Sequence, residues 1–237
     1  MHRPAGAEPA SGHELGGAAD RRAVGGRAPW RRHAAVPGRS AGAGHALARP
    51  PATRPGLTLR VTGGEVRGRR LLAPRGIRPS EGLVREAIFN MVASVVADAA
   101  VLDLFAGSGA LGIEALSRGA AQAVFVDRSE QAFATVKRNL ESAGLGDRGR
   151  VFRADAARWL GAHPAEVGAA TLALLDPPYA DTAALAAALH ELDARLASAA
   201  TVVVEHDARH RLPELSRLAP DRTRRYGGSS VTILRIP

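Results

Sequence analysis

Residues 172–179 read Leu172-Ala173-Leu174-Leu175-Asp176-Pro177-Pro178-Tyr179: four apolar residues closed by an acid, two prolines and an aromatic. An unbroken apolar run of this length fits a strand buried on both faces, as in a parallel sheet. Pro177 and Pro178 end the strand, because neither carries an N–H for the ladder and both fix φ. The chain therefore leaves the sheet in a stiff turn. In open α/β sheets ligands bind at the carboxyl ends of the strands. The turn offers a carboxylate, two backbone carbonyls and a flat ring at that place.

Working upstream, Val101 to Phe105 reads as a strand, and residues 123–126 and 150–153 as two more. Helices are expected over 110–118 and 129–142 between them. Downstream, a helix is expected over 181–197, a strand over 201–205, and a closing antiparallel pair over 218–226 and 230–236. Strands separated by helices of this length imply a mostly parallel sheet with helices on both faces. Asp103-Leu104-Phe105-Ala106-Gly107-Ser108-Gly109-Ala110-Leu111-Gly112 places G-x-G-x-x-G directly after a strand and at the opening of a helix. Such glycines allow a tight turn and a close backbone approach to a ligand. Asp127 ends the next strand, at the place where an acid takes ribose hydroxyls.

These features fit a nucleotide-type cofactor, and a nicotinamide dehydrogenase is the reading to beat. Two features weigh against it. Asp103, just before the glycines, is awkward beside a pyrophosphate and suits a cationic group, such as the amino group of a methionine moiety. The Asp-Pro-Pro-Tyr turn has no evident use in hydride transfer. It does serve transfer to an exocyclic amine. Asp176 and the Pro177 carbonyl can accept both amine hydrogens, leaving the lone pair aimed at an incoming methyl group. Tyr179 can stack on the base.

The chain has 237 residues, a net charge of +9, no cysteine and 46% hydrophobic residues. No run of roughly 18 apolar residues predicts a spanning helix. Without cysteine there are no disulfides and no thiolate metal sites, which fits a cytoplasmic protein. His163, His206 and His210 lack ligand spacing, so no metal is assigned. Of the basic residues only Lys137 is a lysine. Arginine in this excess suits phosphate recognition, and GC-rich coding is an equal explanation for it. Residues 1–56 hold nine arginines against three acids, in Ala/Gly/Pro-rich sequence with no apolar period. That stretch reads as a disordered basic extension or as translation from a misplaced start. Residues 57–77 read as a β-hairpin, with strands over 57–62 and 65–72 joined at Gly63-Gly64. Residues 78–237 read as the catalytic domain, opened by a helix over 81–97 that Ser80 would cap.

From about residue 58 the chain resembles the bacterial family that methylates N2 of a guanine in small-subunit (16S) ribosomal RNA. The resemblance is carried by Arg60-Val61-Thr62-Gly63-Gly64 with Arg67-Gly68-Arg69, by Arg78-Pro79-Ser80, and by Val84-Arg85-Glu86 through Phe89-Asn90. It continues in Asp103 to Gly112, in Glu114-Ala115-Leu116-Ser117-Arg118-Gly119-Ala120 and in Asp176-Pro177-Pro178-Tyr179. It implies a Rossmann-like class I methyltransferase fold, a seven-stranded sheet of order 3-2-1-4-5-7-6 plus an N-terminal β-hairpin. S-adenosyl-L-methionine is the implied cofactor. Its implied binding residues are Asp103, Phe105, Ala106, Gly107, Gly109, Asp127, Arg128, Asp155 and Ala156. Of these, Asp103, Gly107 and Gly109 would meet the methionine end, Asp127 the ribose, and Asp155 with Ala156 the adenine. Asp176, Pro177, Pro178 and Tyr179 would hold the target guanine. Arg60, Arg67, Arg69, Arg70 and Arg78 would contact RNA. The implied partner is 16S ribosomal RNA or the small ribosomal subunit, with the protein acting as a monomer and away from membranes.

The sequence departs from the family pattern at Gly82 and Leu83, where charged residues are expected, and at Asp127, where glutamate is common. Two other functions remain to be weighed: N6-adenine methylation of DNA or RNA, and a non-catalytic RNA-binding assembly factor. Several residues also have plainer readings. Asp103 could cap its own turn, Arg78 and Arg85 could form surface ion pairs, Glu205 could contact neighbouring loops, and Trp159 reads as a packing residue.

Overall fold

The structure is a computed structural model and describes residues 59–73 and 80–237. The apolar run of 172–175 is β4 (Leu172–Leu175), with all four residues buried. Around it lie β1 (Ala100–Leu104), β2 (Gln122–Asp127), β3 (Gly149–Arg153), β5 (Thr201–Asp207), β6 (Ala219–Tyr226) and β7 (Ser229–Arg235). The sheet order is β3-β2-β1-β4-β5-β7-β6, as the resemblance implied. Strands β1 to β5 run parallel, and β7 is antiparallel to both β5 and β6. The order reverses between β1 and β4, which opens a crevice at their carboxyl ends.

Alternation along the strands builds two cores, because successive side chains point to opposite faces. Val101, Phe125, Leu174, Val203 and Ile233 face one layer. That layer holds α1 (Ser80–Met91), α2 (Ala93–Val96), α3 (Ala110–Ser117) and α4 (Glu130–Ala143). Leu102, Val124, Ala173, Val204 and Leu234 face the other. It holds α5 (Ala156–Ala162), α6 (Pro164–Ala169) and α7 (Thr182–Arg195). Trp159 is buried in this second core, as a packing residue.

Three differences from the sequence reading have physical causes. The helix expected over 81–97 breaks at Val92, whose φ of −109° and ψ of 14° leave helical geometry, and resumes as α2. Helices α5 and α6 were not foreseen, because Gly161, Pro164 and Gly168 interrupt the apolar period between them. The N-terminal arm is only lightly paired. Leu57 and Thr58, like residues 1–56 and Arg78, lie outside the described residues. Within 59–71 a single antiparallel bridge joins Arg60 to Arg70. It is flanked by Val61 N–H to Arg69 O (3.0 Å) and Leu71 N–H to Leu59 O (2.9 Å).

The backbone groups of the arm's tip go instead to α3 and its end. Glu65 N–H donates to Ser117 O at 2.8 Å, and Val66 N–H to Ser117 Oγ at 3.1 Å. Gly64 makes this approach possible: at φ +81°, a Cβ there would sit 1.8 Å from Ser117 O. Leu59, Val61 and Leu71 are buried in the same core as Ile88 and Phe89 of α1.

Candidate active site

The crevice at the β1–β4 reversal is a cavity of about 560 Å³. Much of its wall comes from the carboxyl ends of parallel strands and the loops that follow them. Asp103 at the end of β1 is followed by Phe105, Ala106 and Gly107. Asp127 and Arg128 follow β2, Asp155 and Ala156 follow β3, and Asp176 to Tyr179 follow β4. Residues separated by more than seventy positions thus share one wall. Of the expected cofactor residues only Gly109 is off the lining. It lies beneath the loop at φ +75° as the N-cap of α3, where a Cβ would come within 3.1 Å of Val136.

Asp103 does two things. Its Oδ2 accepts from Gly112 N–H at 2.8 Å, which is the turn-capping contact, and the same carboxyl lines the cavity. Only 2% of the residue is exposed. Burial pushes its carboxyl up to about 8, against the lowering effect of the Gly112 hydrogen bond and with a further push from the Asp127 charge. Gly112 is required for this packing, since a Cβ would lie 2.3 Å from Phe125 Cε1 and 2.9 Å from Asp103 Oδ2.

The loop itself is held from β2. Ala106 N–H donates to Val126 O at 3.1 Å, and Gly107 N–H to Asp127 Oδ2 at 2.9 Å. Asp127 Oδ1 accepts from Ser129 N–H at 2.8 Å. Both carboxylate oxygens therefore fix backbone, and each keeps a second lone pair for a hydroxyl. Phe105 adopts φ +62°, a left-handed conformation that costs a non-glycine residue roughly 1–3 kcal/mol and clusters at functional sites. Asp155 Oδ1 caps α5 by accepting from Arg158 N–H at 3.0 Å. Arg128, an exposed residue, reaches over to Asp181 at the start of α7, with 2.9 Å between their charged atoms.

In the turn after β4, Pro177 is buried and Asp176 is exposed toward the cavity it lines. Pro178 O accepts from Asp181 N–H at 2.8 Å, which closes the turn onto α7. The Tyr179 hydroxyl bonds Ser229 Oγ and lies 3.4 Å from Glu205 Oε1. Glu205 thus reaches the turn and lines the same cavity.

Arg85 departs from the surface reading altogether. It is 5% exposed and lines the cavity beside Leu59 and Ile88. Its guanidinium donates to Arg60 O at 2.5 Å and lies 3.4 Å from Glu114 Oε2. Its position was legible, since Arg85, Ile88, Phe89 and Val92 stand at i, i+3, i+4 and i+7. Glu114 stood in the sequence only as part of a family motif, with no role of its own. Fully buried, it accepts from Thr62 N–H (2.8 Å), Thr62 Oγ1 (2.7 Å), Gly63 N–H (2.8 Å) and Arg118 Nε (2.8 Å). It ties the arm to α3.

The arginines of the arm stand apart from the cavity. Arg67, Arg69 and Arg70 are exposed around a shallow depression with Glu65, Val66, Gly68 and Ser142. Arg60 Nη1 donates to Gly68 O at 3.0 Å, across the arm.

The model of a family described as conserved hypothetical protein 95 matches residues 59–235. A Bacillus subtilis protein carrying the provisional name rRNA methyltransferase YlbH is 41% identical over 182 residues, spanning 75% of this chain and 98% of its own. Ribosomal RNA small subunit methyltransferase D of Escherichia coli is 40% identical over 124 residues, 51% of this chain and 60% of its own. The solved Escherichia coli protein yhhF, provisionally named a methyltransferase, superposes with a TM-score of 0.66 at 30% identity. It covers 76% of this chain and 98% of its own. With the family match spanning both the arm and the cavity, the chain belongs to the conserved hypothetical protein 95 family, that of ribosomal RNA small subunit methyltransferase D.

Proposed function

We propose that this protein transfers a methyl group from S-adenosyl-L-methionine to N2 of a guanine in small-subunit ribosomal RNA. The observation that carries the reading is one continuous cavity joining Asp103, Asp127 and Asp155 to the Asp176–Tyr179 turn. Its volume falls within the roughly 300–1,000 Å³ of small-molecule sites. The donor set fits the cofactor. Asp103 offers a buried carboxyl in the wall, which a bound ammonium group would draw into its charged form. Asp127 keeps lone pairs for vicinal hydroxyls. Asp155 stands at the far end, beside Ala156, for an amino group of a base. Phe105, Ala106, Gly107 and Arg128 complete that half of the wall, and Gly109 supports it from below.

When bound, the cofactor supplies an electrophilic methyl carbon on a sulfonium and leaves as a neutral thioether. The chain's own task is to present the amine. Asp176 and the Pro177 carbonyl accept the two N–H hydrogens of guanine N2, so the nitrogen lone pair is free to attack. As the new N–C bond forms and positive charge builds on N2, the Asp176 carboxylate offsets it and takes the proton that leaves. Tyr179, fixed through its hydroxyl by Ser229 and Glu205, stacks on the base. Glu205 and Arg85 line the same cavity and offer an acceptor for guanine N1–H and a donor for O6. A base entering so deep a site must leave its stack, so a flipped nucleotide is expected.

The short antiparallel arm supplies the RNA-facing hairpin, with Arg60, Arg67, Arg69 and Arg70 as phosphate contacts, and Arg78 follows it in sequence. Incubating undermethylated small subunits with labelled cofactor, then digesting the RNA to nucleosides, tests the reading. Label in N2-methylguanosine is expected. Label at adenine N6 overturns the substrate assignment, and calorimetry showing no cofactor binding overturns the enzyme.

A further inference from the structure

On the far side of the cavity from the arm lies the edge strand β6, and its register decides which way its arginines point. Arg222 pairs with Ile233, Arg224 with Val231 and Tyr226 with Ser229. Directly opposed residues of an antiparallel pair share a face. Val231 and Ile233 are buried in the core that holds α1 and the arm, and Tyr226 packs against that same core. Arg222 and Arg224 therefore face the arm's side of the sheet. Both are exposed, and neither has a hydrogen-bond or ion-pair partner among the described residues. The neighbouring acid Asp221 is occupied by Arg235 at 3.5 Å.

The same face holds the mouth of the cavity. Glu205 pairs with Val231, so it lies on that face, beside Leu59 and Arg85 of the arm and α1. Ser229, which bonds Tyr179 of the catalytic turn, is the partner of Tyr226 on β6. Arg224 lies one same-face step along β6 from Tyr226, whose partner Ser229 holds the Tyr179 hydroxyl, and Arg222 follows about 7 Å further along the strand. An RNA strand that places one nucleotide in the cavity from this face must leave it in two directions. One leads over the arm and the other over β6.

We infer that Arg222 and Arg224 of the edge strand form a second phosphate-binding track, which holds the RNA on the side of the target nucleotide opposite the arm. The inference rests on the proposed RNA methylation. The single-stranded RNA backbone is the occupant that fits, because two unpaired guanidinium groups at this spacing can each meet a successive phosphate. Charged residues on an edge strand can also serve only to block edge-to-edge pairing. Changing Arg222→Glu and Arg224→Glu together separates the two roles, since it keeps the edge charged and reverses its attraction for phosphate.

Binding of a transcribed small-subunit ribosomal RNA is measured by filter retention across a salt series, alongside methyl transfer to that RNA and calorimetry with S-adenosyl-L-homocysteine. The double variant is expected to bind RNA at least about tenfold more weakly, with KM for RNA raised by a similar factor. Its log–log salt slope should fall by about 1.4, two contacts at ~0.7 each for a single strand. The affinity for S-adenosyl-L-homocysteine and the melting temperature should stay at wild-type values. If charge reversal lowers the melting temperature, the Arg222→Gln, Arg224→Gln pair carries the same expectation of a reduced slope. RNA affinity and salt slope equal to wild type in the folded variant overturn the inference and leave edge protection as the strand's role. A wild-type protein that neither binds nor methylates this RNA overturns the proposed function, and this inference with it.

Discussion

Replacing Glu114 should loosen the arm before it unfolds the sheet. Its Oε1 serves Thr62 Oγ1, Gly63 N–H and Arg118 Nε, and its Oε2 serves Thr62 N–H and lies 3.4 Å from Arg85 Nε. The Glu114 side chain is wholly buried, and those of Arg85 and Arg118 are 6% and 22% exposed. Glu114→Ala leaves a buried guanidinium without its counter-charge and the backbone donors of the arm without an acceptor. Breaking a buried pair by removing one partner costs about 3–5 kcal/mol. In a domain of this size that lowers the melting temperature by about 6–12 °C at the smaller figure. Glu114→Gln should cost less, about 1–3 kcal/mol. Its carbonyl can sit at the Oε1 place, but its NH2 then faces two donors, Thr62 N–H and Arg85 Nε.

The expected failure is local, because the arm's other anchors are three buried apolar side chains, Leu59, Val61 and Leu71, and scattered hydrogen bonds to Ser117, Asn139 and Arg85, none of which replaces the cluster of donors gathered on Glu114. Arg60, Arg67, Arg69 and Arg70 make it a reporter for trypsin under native conditions. Mass analysis of the fragments should show early cleavage at these four arginines in Glu114→Ala, with residues 80–237 still resistant. RNA affinity should fall with it. An unfolding free energy from urea titration within about 1 kcal/mol of wild type, together with unchanged protection of the four sites, would refute the claim that Glu114 holds the arm.

Three further outcomes follow from the site. Asp176→Ala should abolish methyl transfer while leaving calorimetric affinity for S-adenosyl-L-homocysteine near wild type; a collapse of that affinity would move Asp176 to the cofactor's half of the cavity. Asp103 should make the ligand-free protein less stable as pH rises. Its folded-state value of about 8 lies above the ordinary 3.8, so between these values the folded protein holds a proton that the unfolded chain releases. Asp103→Asn should flatten the decline in urea midpoint between pH 5 and 8 and weaken cofactor binding, and an unchanged pH profile would contradict the buried acid. Gly112→Ala should destabilise the protein by about 1–3 kcal/mol, because the added methyl meets the fully buried Phe125 ring; a wild-type melting temperature would count against that packing.

What could be read without coordinates was local. The four apolar residues before Pro177 and the glycines after Asp103 each carry their meaning within ten positions, and β4 and the cavity loop stand where those signals put them. Arg85 carried a local signal too, on the buried stripe of α1, but a charged residue on an apolar stripe invites the exposed reading unless its partner is known. Glu114 could not be found this way, since its meaning lies in Thr62 and Gly63, more than fifty residues upstream. The φ of +62° at Phe105 is likewise invisible, because aromatic residues do not announce a left-handed backbone as glycine does. Residues 156–169 hid two short helices because their glycines and proline resemble loop punctuation, while burial of Trp159, Leu160 and Val167 overrides propensity.

The arm and the cavity are mechanically one object. Arg85 donates to the backbone of Arg60 and lines the cavity, while Leu59, one residue earlier, lines the cavity as well. Glu114 binds Thr62 and Gly63 from α3, the helix whose N-terminal turn holds Asp103 through Gly112. Were RNA held at the arm as proposed, a force on it would reach the proposed base-binding wall through two residues, and the glycine loop through one helix. Engagement of RNA by Arg67 and Arg69 should accordingly be felt as tighter cofactor binding, and by linkage the cofactor should tighten RNA binding by the same factor. Measuring RNA affinity with and without saturating S-adenosyl-L-homocysteine, in wild type and in Glu114→Gln, tests this. Coupling present in the first and lost in the second locates the path in the arm's anchor, and coupling equal in both would place it elsewhere.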